Sequence, residues 1–548
     1  MPAESIDLPN IKSMISQPMA GVTKRKRVDE NIATSQEDIH KKKPSTVLMW
    51  FKNDLRSSDN PALLAATQLA KRHEYYTIAL FVISPQDYFI HDDAAIKIDF
   101  RLRCLNKLRE KLAVLNIPLV ILTVNRRKNI PETLLEFCRA RKVYQLFYNA
   151  EYEVDELRRD ATVTQLLEAD GRKVSCFHDQ CIVFPRALLT KTDQPFKVYT
   201  PFKKTWCAHI ESNICPKTKA PSLLILAESP LPNAFEIRQQ SQFIDLFESE
   251  IPKSIKGFEL DGGYAALARK RYPAGENAAL KRLHTFLETK VQNYNERRNV
   301  PAKEGTSVLS PYLASGVISI RQCVRAAWEV NGRKLSTGQN GIVSWISELI
   351  WREFYRHVLV HFPQVSMNRP FKPEAASLSW ELDVNGENFK AWSEGRTGYP
   401  IVDAGMRQLK STGWMDNRLR MCTAMFLTKD LLLNWQLGEK FFMQHLIDGD
   451  LAQNNGGWQW CASTGTDAAP YFRIFNPLLQ SEKIDPNGDI IRKYIPELAH
   501  LKSPVIHDPY HRLPKQEFDK LGYPPPIVDH KMARERALAA FKKVLSKK

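Results

Sequence analysis

The sequence lacks the short signatures of several large protein classes. Its nine cysteines are scattered over 548 residues without a C-x-x-C pair, a spacing that suits neither a zinc site nor a disulfide framework. We therefore expect no metal centre, and we expect each cysteine to be a small buried side chain in a reducing compartment. No G-x-G-x-x-G follows the first apolar run, and no Walker loop or H-E-x-x-H occurs, so the usual dinucleotide, nucleotide and metalloprotease motifs are missing.

Long hydrophobic runs are missing as well. No apolar run approaches the roughly 20 residues that a helix needs to cross a bilayer, so we expect neither a membrane segment nor a signal peptide. The hydrophobic share of 43% and the charged share of 25% are typical of a globular protein. A chain of 548 residues can form two or three domains with large cores.

Acidic residues are too few to balance the basic ones. The chain has 61 Asp and Glu against 78 Lys and Arg, a net charge of +17. The first 46 residues contribute only +2, so +15 lies on the rest of the chain. A basic folded body suits a polyanion, most commonly nucleic acid, although surface charge that serves only solubility is equally compatible.

Residues 1–45 are predicted to form a disordered basic tail, because they are polar, contain proline and show no periodicity. Two clusters, KRKR at 24–27 and KKK at 41–43, lie thirteen residues apart and resemble a bipartite nuclear-import signal. We expect a nuclear protein. A mitochondrial location is the alternative, and Glu4 and Asp7 so near the start count against it.

From residue 46 the pattern alternates between short apolar runs and helical stretches. The apolar runs are TVLMWF (46–51), TIALFVI (77–83), PLVILTV (118–124) and YQLFYNA (144–150), and helical stretches lie near 61–71, 94–115 and 132–141. This alternation predicts a doubly wound parallel α/β sheet over residues 46–184. Ligands of such sheets bind at the carboxyl ends of the strands. A loop-rich connector with many prolines is predicted over residues 185–261.

Residues 262–548 read as one helix after another with little strand pattern, which predicts a second, all-helical domain. Nine of the eleven tryptophans lie there, more than ordinary core packing explains. The predicted fold class is therefore α/β followed by all-α.

The most informative stretch is DGDLAQNNGGWQWCASTGTDAAPYFRIF at 448–475. Each of its carboxylates and amides needs hydrogen bonds if it is buried, so we expect a polar floor with aromatic walls around a large flat ligand. A glycine-rich loop between core helices is the alternative. Paired carboxylates such as Asp448 and Asp450 are also typical of glycosidase-type acid–base catalysis. These two lie only two residues apart, however, and no sugar-binding context supports that function.

The predicted helix SWISELIWREFYRH at 344–357 carries a second pattern. Glu348, Trp351, Arg352 and Tyr355 fall at i, i+3, i+4 and i+7, so they share one face. An acid, an indole, a guanidinium and a phenol suit a cavity wall that stacks on one flat group and hydrogen-bonds another. The alternative is a charged surface helix with an incidental tryptophan.

The turn EGTSVLSPYLASG at 304–316 leads into a predicted helix. Backbone N–H groups and hydroxyls at a helix start form a ready anion site. Thr306, Ser307, Leu309 and Ser310 could therefore hold a pyrophosphate without a lysine. A plain helix cap is equally compatible with these residues.

A further helix, STGWMDNRLRMCTAMFL at 411–427, places Asn417, Arg420 and Met421 on one face. With the acids of the 448–475 stretch and Asn454, this face offers carboxylates and amides that could read the edge of a heterocycle. An ordinary amphipathic helix is the alternative.

Several motifs together resemble the photolyase/cryptochrome family, over nearly everything from Thr46 to the end. They are WFKNDLRSSDNPAL, EGTSVLSPYLASG, ELIWREFYRH, GRTGYPIVDAGMRQL, NRLRM and DGDLAQNNGGWQWCASTGTDAAPYFRIFNP. Within the family the chain is most similar to class I cyclobutane pyrimidine dimer photolyases of the microbial and fungal type. The resemblance implies an α/β antenna domain joined to an all-helical FAD-binding domain.

The same resemblance implies light-driven repair of cyclobutane pyrimidine dimers in DNA, by electron transfer from excited reduced FAD to the flipped dimer. A flavin-based blue-light photoreceptor that signals through a partner is the alternative. A tail-mediated photoreceptor is disfavoured, because the sequence stops soon after the helix predicted at 533–545. Damaged DNA is the expected partner of a monomer.

The resemblance also implies which residues bind FAD. The residues expected around its phosphates are Tyr294, Thr306, Ser307, Leu309 and Ser310, and those around its ring and sugar are Asn417, Arg420, Asp448, Asp450 and Asn454. Arg420 and Asp448 would form an ion pair, Asp450 would accept a hydrogen bond from the ring, and Asn454 would face its redox-active nitrogen. The expected electron-transfer chain is Trp458, Trp435 and Trp380, with a two-residue insertion after the last.

The implied catalytic residues are Glu348, Trp351, Met421 and Asn454. Glu348 would hydrogen-bond the flipped dimer, Trp351 and Trp460 would stack on it, and Met421 would line the floor. The expected contacts to DNA phosphates are Arg298, Arg352 and Arg418. A (6-4) photolyase is expected to carry histidines where this chain has Asn417 and Met421, so (6-4) repair is disfavoured.

A second chromophore is implied at the α/β domain. His91, Asp155 and Glu156 align with positions that contact a 5,10-methenyltetrahydrofolate antenna. A lysine expected near the domain interface is Met367 here, which leaves a deazaflavin or an empty site as alternatives.

Overall fold

The structure is a computed structural model that describes residues 15–16, 46–216, 218–235, 237 and 240–545. The basic clusters at 24–27 and 41–43, and with them the predicted nuclear-import signal, lie outside these residues. So does the rest of the predicted tail apart from residues 15–16.

The α/β part is built on a six-stranded parallel sheet. Its strands are β1 (Ile15–Ser16), β2 (Thr46–Phe51), β3 (Tyr76–Ile83), β4 (Leu119–Thr123), β5 (Val143–Asn149) and β6 (Lys173–Phe177). Their order is β1-β6-β5-β2-β3-β4, and every pairing is parallel. All six residues of β2 are buried, as expected for a strand covered on both faces. The predicted doubly wound sheet is confirmed.

Helices cover the sheet and extend into the predicted connector. They are α1 (Pro61–His73), α2 (Pro85–Ile90), α3 (Ala95–Val114), α4 (Ile130–Ala140), α5 (Val154–Ala169), α6 (Tyr199–Ser212) and α7 (Ser241–Phe247). The stretch 185–261 is therefore more ordered than the loop-rich connector that its prolines predicted. Tyr199, Phe202, Trp206 and Ile210 recur at helical spacing and bury one face of α6.

Beyond residue 262, every regular element among the described residues is helical, which confirms the predicted second part of the fold. The first helices there are α8 (Gly262–Arg271), α9 (Glu276–Thr289), α10 (Tyr294–Arg297), α11 (Ser310–Ala314), α12 (Ile320–Val330), α13 (Asn340–His361), α14 (Glu387–Glu394) and α15 (Pro400–Thr412). They are followed by α16 (Asn417–Met425), a π-helical turn (Phe426–Asp430), α17 (Trp435–Met443), α18 (Leu451–Ala462), α19 (Pro477–Ile484), α20 (Asp489–Tyr494), α21 (Pro509–Arg512), α22 (Lys515–Asp519) and α23 (His530–Leu545).

The long helix α13 ties the two parts of the molecule together. Its Glu353 is fully buried and accepts hydrogen bonds from the backbone N–H groups of Ile182 and Val183, at 2.8 and 2.9 Å, and from the Trp206 indole at 2.6 Å. Two of these donors lie between β6 and α6 and the third lies on α6, so one face of α13 is fixed against this part of the chain. Its opposite face is left to line the site described below.

All nine cysteines are free thiols, and eight of them are buried, as predicted for small apolar side chains. Among the described residues no helix is both long and apolar enough to cross a membrane.

Candidate active site

A cavity of about 400 Å³ lies in the helical part between α13, α16 and α18. Its lining unites side chains from four separated stretches of sequence. They are Arg298, then Glu348, Trp351, Arg352 and Tyr355, then Asn417, Arg418, Arg420 and Met421, and finally Asp448, Asp450, Asn454, Trp458 and Trp460. The polar floor with aromatic walls that the sequence predicted is therefore present as one cavity.

The indole of Trp351 forms a rigid wall of this cavity. It stacks face to face on the Tyr199 ring, with ring centroids 3.7 Å apart and planes only 9° from parallel. The Tyr199 hydroxyl donates to the Ser347 carbonyl oxygen at 2.7 Å, which fixes the backing ring. Tyr199 was not singled out from the sequence, and only the helical spacing of aromatic residues in the connector could have indicated it. Trp351 is thus a pre-oriented surface for stacking a flat group.

Glu348 and Arg298 lie together at the same wall. Glu348 Oε1 is 2.5 Å from Arg298 Nη1, and both side chains are partly exposed. An ion pair open to water contributes little to stability, so its role here is one of geometry. It presents a carboxylate acceptor and a guanidinium donor side by side toward the cavity.

Helix α16 brings a second arginine to the cavity. The helix begins at Asn417 because the Asp416 carboxylate accepts a hydrogen bond from the Arg418 N–H at 2.8 Å and so caps it. Burial raises the pKa of Asp416 to about 6, despite this bond. The Arg418 guanidinium donates twice to Asn299 Oδ1, at 2.8 and 2.6 Å, which fixes its orientation.

Arg420 and Asp448 form the ion pair that the family resemblance implied. Arg420 Nη2 lies 2.8 and 3.0 Å from the two Asp448 oxygens, and its Nε donates to the Met415 carbonyl at 2.9 Å. The Asp448 side chain is 3% exposed and that of Arg420 is 26% exposed. The guanidinium plane is therefore held rigidly at the cavity wall, while its placement against a flavin stays a prediction.

Asp450 and Asn454 supply two acceptors of different charge. Asp450 caps α18 by accepting from the Gln453 N–H at 3.3 Å, and it also pairs with Arg356. Burial opposes its ionisation, but Arg356 and Arg352 outweigh that effect and lower its pKa. Asn454 Nδ2 donates to the Glu439 carbonyl at 2.9 Å, and no donor among the described residues reaches its Oδ1. A carboxylate and a neutral amide oxygen thus face one cavity.

The three tryptophans of the predicted electron-transfer chain differ in their exposure. Trp458 lines the cavity and is buried, Trp435 is buried in the same apolar cluster, and Trp380 is partly exposed. Within the described chain the Trp458 Nε1 has no acceptor. Trp392, which the sequence reading did not include, packs edge-on against Trp458 with ring centroids 6.0 Å apart.

The predicted phosphate-binding loop does not line this cavity, but its backbone has the form of an anion site. Val308 has a left-handed φ of +49°, and Leu309 follows with φ −87° and ψ −7°. Such a pair turns successive N–H groups toward one side. No acceptor among the described residues takes up the N–H groups of residues 306–309. Ser310 Oγ accepts from the Trp414 indole at 3.2 Å, and Tyr294 is buried below the Arg298 guanidinium.

Comparisons with known proteins decide the family. Residues 47–222 match the model described as DNA photolyase, and residues 345–543 match the model described as the FAD binding domain of DNA photolyase. The deoxyribodipyrimidine photo-lyase of Neurospora crassa is 46% identical over 516 residues, which cover 91% of this chain and 82% of the relative. The chain belongs to the photolyase/cryptochrome family.

Solved structures agree with this assignment. A bacterial class III photolyase from Agrobacterium tumefaciens is 34% identical with a TM-score of 0.76, covering 94% of this chain and all of its own. A cryptochrome from Synechocystis is 27% identical with a TM-score of 0.75, covering 91% of this chain and 99% of its own. The chain is therefore a photolyase-type enzyme with an FAD-binding domain.

Arg352, which is predicted to hold a DNA phosphate, also contacts the protein backbone. Its guanidinium donates to the Gln180 and Leu313 carbonyl oxygens, at 3.1 and 3.2 Å. Burial and the neighbouring Arg356 lower its pKa. Two of its five N–H donors are thus taken up by backbone carbonyl groups, and Arg298 and Arg418 line the same cavity.

A second photolyase cavity, of about 570 Å³, lies at the carboxyl ends of β2, β3 and β5 and reaches the helical part. All three predicted antenna residues line it. His91 lies 3.7 Å from both Asp155 and Glu156. Burial raises the pKa of Glu156 to about 7. Arg127, which no motif indicated, lies 3.2 Å from the His91 Nε2 and 3.1 Å from Asp155, so it organises this cluster.

Proposed function

We propose that the protein is a deoxyribodipyrimidine photo-lyase that splits cyclobutane pyrimidine dimers in DNA, using light and reduced FAD. One observation carries the proposal. A single cavity is lined both by Glu348 and Trp351 of α13 and by Asp448, Asp450 and Asn454 of the 448–475 stretch. A dimer held by the first pair would therefore lie within reach of a flavin held by the other three residues.

The residues present fit FAD at both of its ends. The left-handed turn at Val308 directs free N–H groups of the 306–309 loop to one side, which suits the two phosphates. The Arg420–Asp448 pair, the Asp450 carboxylate and the Asn454 amide oxygen offer a guanidinium plane and hydrogen-bond acceptors to a flat ring. When bound, reduced FAD supplies one electron to the dimer on excitation and takes it back after the ring opens, so the flavin is unchanged overall.

Other residues that line the same cavity suit a flipped dimer. Trp351 and Trp460 line the cavity as stacking surfaces, and Met421 fills the space beside them. Flipping a damaged pair out of the helix costs a few kcal/mol. Stacking contributes roughly 1–3 kcal/mol per base, and charge-assisted contacts from Arg298 and Arg418 to DNA phosphates add to it. These gains can offset the cost of flipping.

The lining favours cyclobutane dimers over (6-4) photoproducts. Asn417 and Met421 stand where a (6-4) photolyase is expected to carry histidines, and both line the cavity. Neither side chain can donate a proton near neutral pH. Splitting a cyclobutane ring needs electron transfer but no proton from these positions.

We further propose a 5,10-methenyltetrahydrofolate antenna in the 570 Å³ cavity. His91, Asp155 and Glu156 lie together there, and the carboxylic acid of Glu156 is a hydrogen-bond donor as well as an acceptor near pH 7. Mass spectrometry of small molecules released from protein purified from its native host tests this, and a deazaflavin in their place would refute it.

The proposed function is tested by incubating reduced, FAD-loaded protein with a short DNA that contains one cyclobutane thymine dimer, under blue light and in the dark. We expect intact thymines to reappear only in the light. A matched DNA with a (6-4) photoproduct should stay unrepaired. Bound flavin without any light-dependent repair would refute the proposal and favour a photoreceptor that kept the cavity but changed its output.

A further inference from the structure

Asp450 is the one described residue that lines both the 400 Å³ cavity of the proposed flavin and dimer and the 570 Å³ cavity of the proposed antenna. Its carboxylate sits at the start of α18, where the two cavities approach each other. A group in the antenna cavity that changes the charge or position of the Asp450 carboxylate would therefore also affect a flavin in the other cavity.

Arg356 is the group that holds Asp450. It lies on α13 one turn beyond Arg352, lines the antenna cavity and is almost fully buried. One terminal nitrogen donates to the Asp450 carboxylate and the other donates to the Gln180 side-chain oxygen. The Arg356 Nε has no acceptor in the described part of the chain. The guanidinium therefore spans the wall between the two cavities.

Glu153 is a second acid within reach of the same guanidinium. Its Oε1 lies 3.8 Å from Arg356 Nη1, while its Oε2 accepts from the Tyr152 N–H at 3.1 Å. Glu153 also lines the antenna cavity. One buried guanidinium thus stands between a carboxylate shared with the flavin cavity and an acid that only the antenna cavity reaches.

We propose that Arg356 is a positioning residue that couples the two cavities, with Glu153 competing with Asp450 for its charge. The inference rests on the proposed function, since it assigns Asp450 to the flavin. When Glu153 is neutral, the charge of Arg356 serves Asp450 alone. When Glu153 ionises, the charge is shared, and the wall facing the flavin becomes more negative.

The sign of the effect follows from the charges around Glu153. Burial raises its pKa to about 7, against the opposing effect of Arg356 and with the help of neighbouring acids. The charged groups that face it or its partners are Arg352 and Arg356 on α13, Glu151 after β5, Glu156 on α5, Asp450 before α18 and Lys97 on α3. Raising the pH through 7 therefore adds a negative charge beside Arg356. Because reduction adds electrons to the flavin, that charge should shift bound FAD toward its oxidised form.

The test is a reductive titration of the FAD-loaded protein between pH 6 and pH 8.5, compared with Glu153→Gln. In the unaltered protein we expect an extra, roughly two- to tenfold shift toward oxidised FAD centred near pH 7, in the lower part of the range found for coupled charges in one network. Glu153→Gln should lose this step. Asp155→Asn is the matched control, because this acid of the same cavity pairs with Arg127 and His91 rather than with Arg356, and it should keep the step.

A step that persists in Glu153→Gln, or that disappears in Asp155→Asn, would overturn the coupling. Should Glu153→Gln fail to hold FAD, Glu153→Asp withdraws the carboxyl from Arg356 by one methylene and should shrink the step. Arg356→Lys keeps the positive charge and should retain a smaller pH-dependent step. If Arg356 had only a structural role, the pH profile of this variant would match that of the unaltered protein. If the protein repairs dimers but its flavin shows no pH-dependent step, this inference alone is refuted. If the flavin shows the step but the protein repairs no dimers, the proposed function alone is refuted.

Discussion

Replacing Trp351 with alanine is expected to weaken binding of dimer-containing DNA by roughly 5- to 150-fold, the range that follows from losing stacking on one base. The indole lines the cavity and is backed by Tyr199 at 3.7 Å, so truncation removes a surface that is already oriented. Binding of an unmodified duplex should change little, because its bases stay stacked inside the helix. Titration of fluorescent DNA with and without one cyclobutane dimer, in the dark, measures both affinities.

Two conservative variants separate stacking from local damage. Trp351→Phe keeps an aromatic face and should recover most of the affinity. Tyr199→Phe keeps the ring that backs Trp351 and loses only its hydroxyl, which contacts the Ser347 carbonyl and hydroxyl oxygens. It should therefore reduce the affinity for damaged DNA much less than Trp351→Ala does. Equal losses on damaged and undamaged DNA in Trp351→Ala would contradict a stacking role.

Replacing Asp450 with alanine should destabilise the helical part by about 3–5 kcal/mol, because it leaves the buried guanidinium of Arg356 without its main partner. The two side chains are only 6% and 4% exposed, so the guanidinium would be left buried with one charged partner fewer. The cap of α18 is lost as well. Purified Asp450→Ala should also contain much less FAD, since the same carboxylate faces the proposed ring. Urea unfolding followed by tryptophan fluorescence and the flavin-to-protein absorbance ratio measure the two effects.

Asp261→Ala is the matched control for this change. Asp261 caps α8 by accepting from the N–H groups of Gly263 and Tyr264, at 3.0 and 3.2 Å, but it is exposed and pairs with no arginine in the described structure. Its loss should cost about 1 kcal/mol, as for an ordinary cap, and should leave the FAD content unchanged. Similar costs for the two variants would show that the buried pair contributes nothing beyond capping.

Much of the α/β fold follows from local sequence pattern. Short apolar runs predicted β2, β3, β4 and β5 to within one residue at each end, because strands buried on both faces need unbroken apolar side chains. The strand β6 was not singled out, since its KVSCF sequence is only partly buried and mixes polar with apolar residues. Helix α6 was hidden by the prolines of its surroundings, and Tyr199 with it.

The site likewise contains residues that local sequence pattern predicts and residues that it does not. Helical spacing alone placed Glu348, Trp351 and Arg352 on one face of α13, and the cavity confirms that face. Spacing could not show that Arg352 turns inward to backbone carbonyls, because those acceptors come from distant segments. The partners Arg356 and Glu153 lie about 200 residues apart in sequence, so only the folded chain brings them together.

The central claim is that excited reduced FAD passes an electron to a dimer flipped into the 400 Å³ cavity. The most direct measurement is the fluorescence decay of the reduced flavin with bound DNA. Electron transfer competes with emission, so the decay should be faster with dimer-containing DNA than with the same undamaged duplex, and thymines should reappear in proportion. An identical decay on both DNAs, with the dimer demonstrably bound, would contradict the claim.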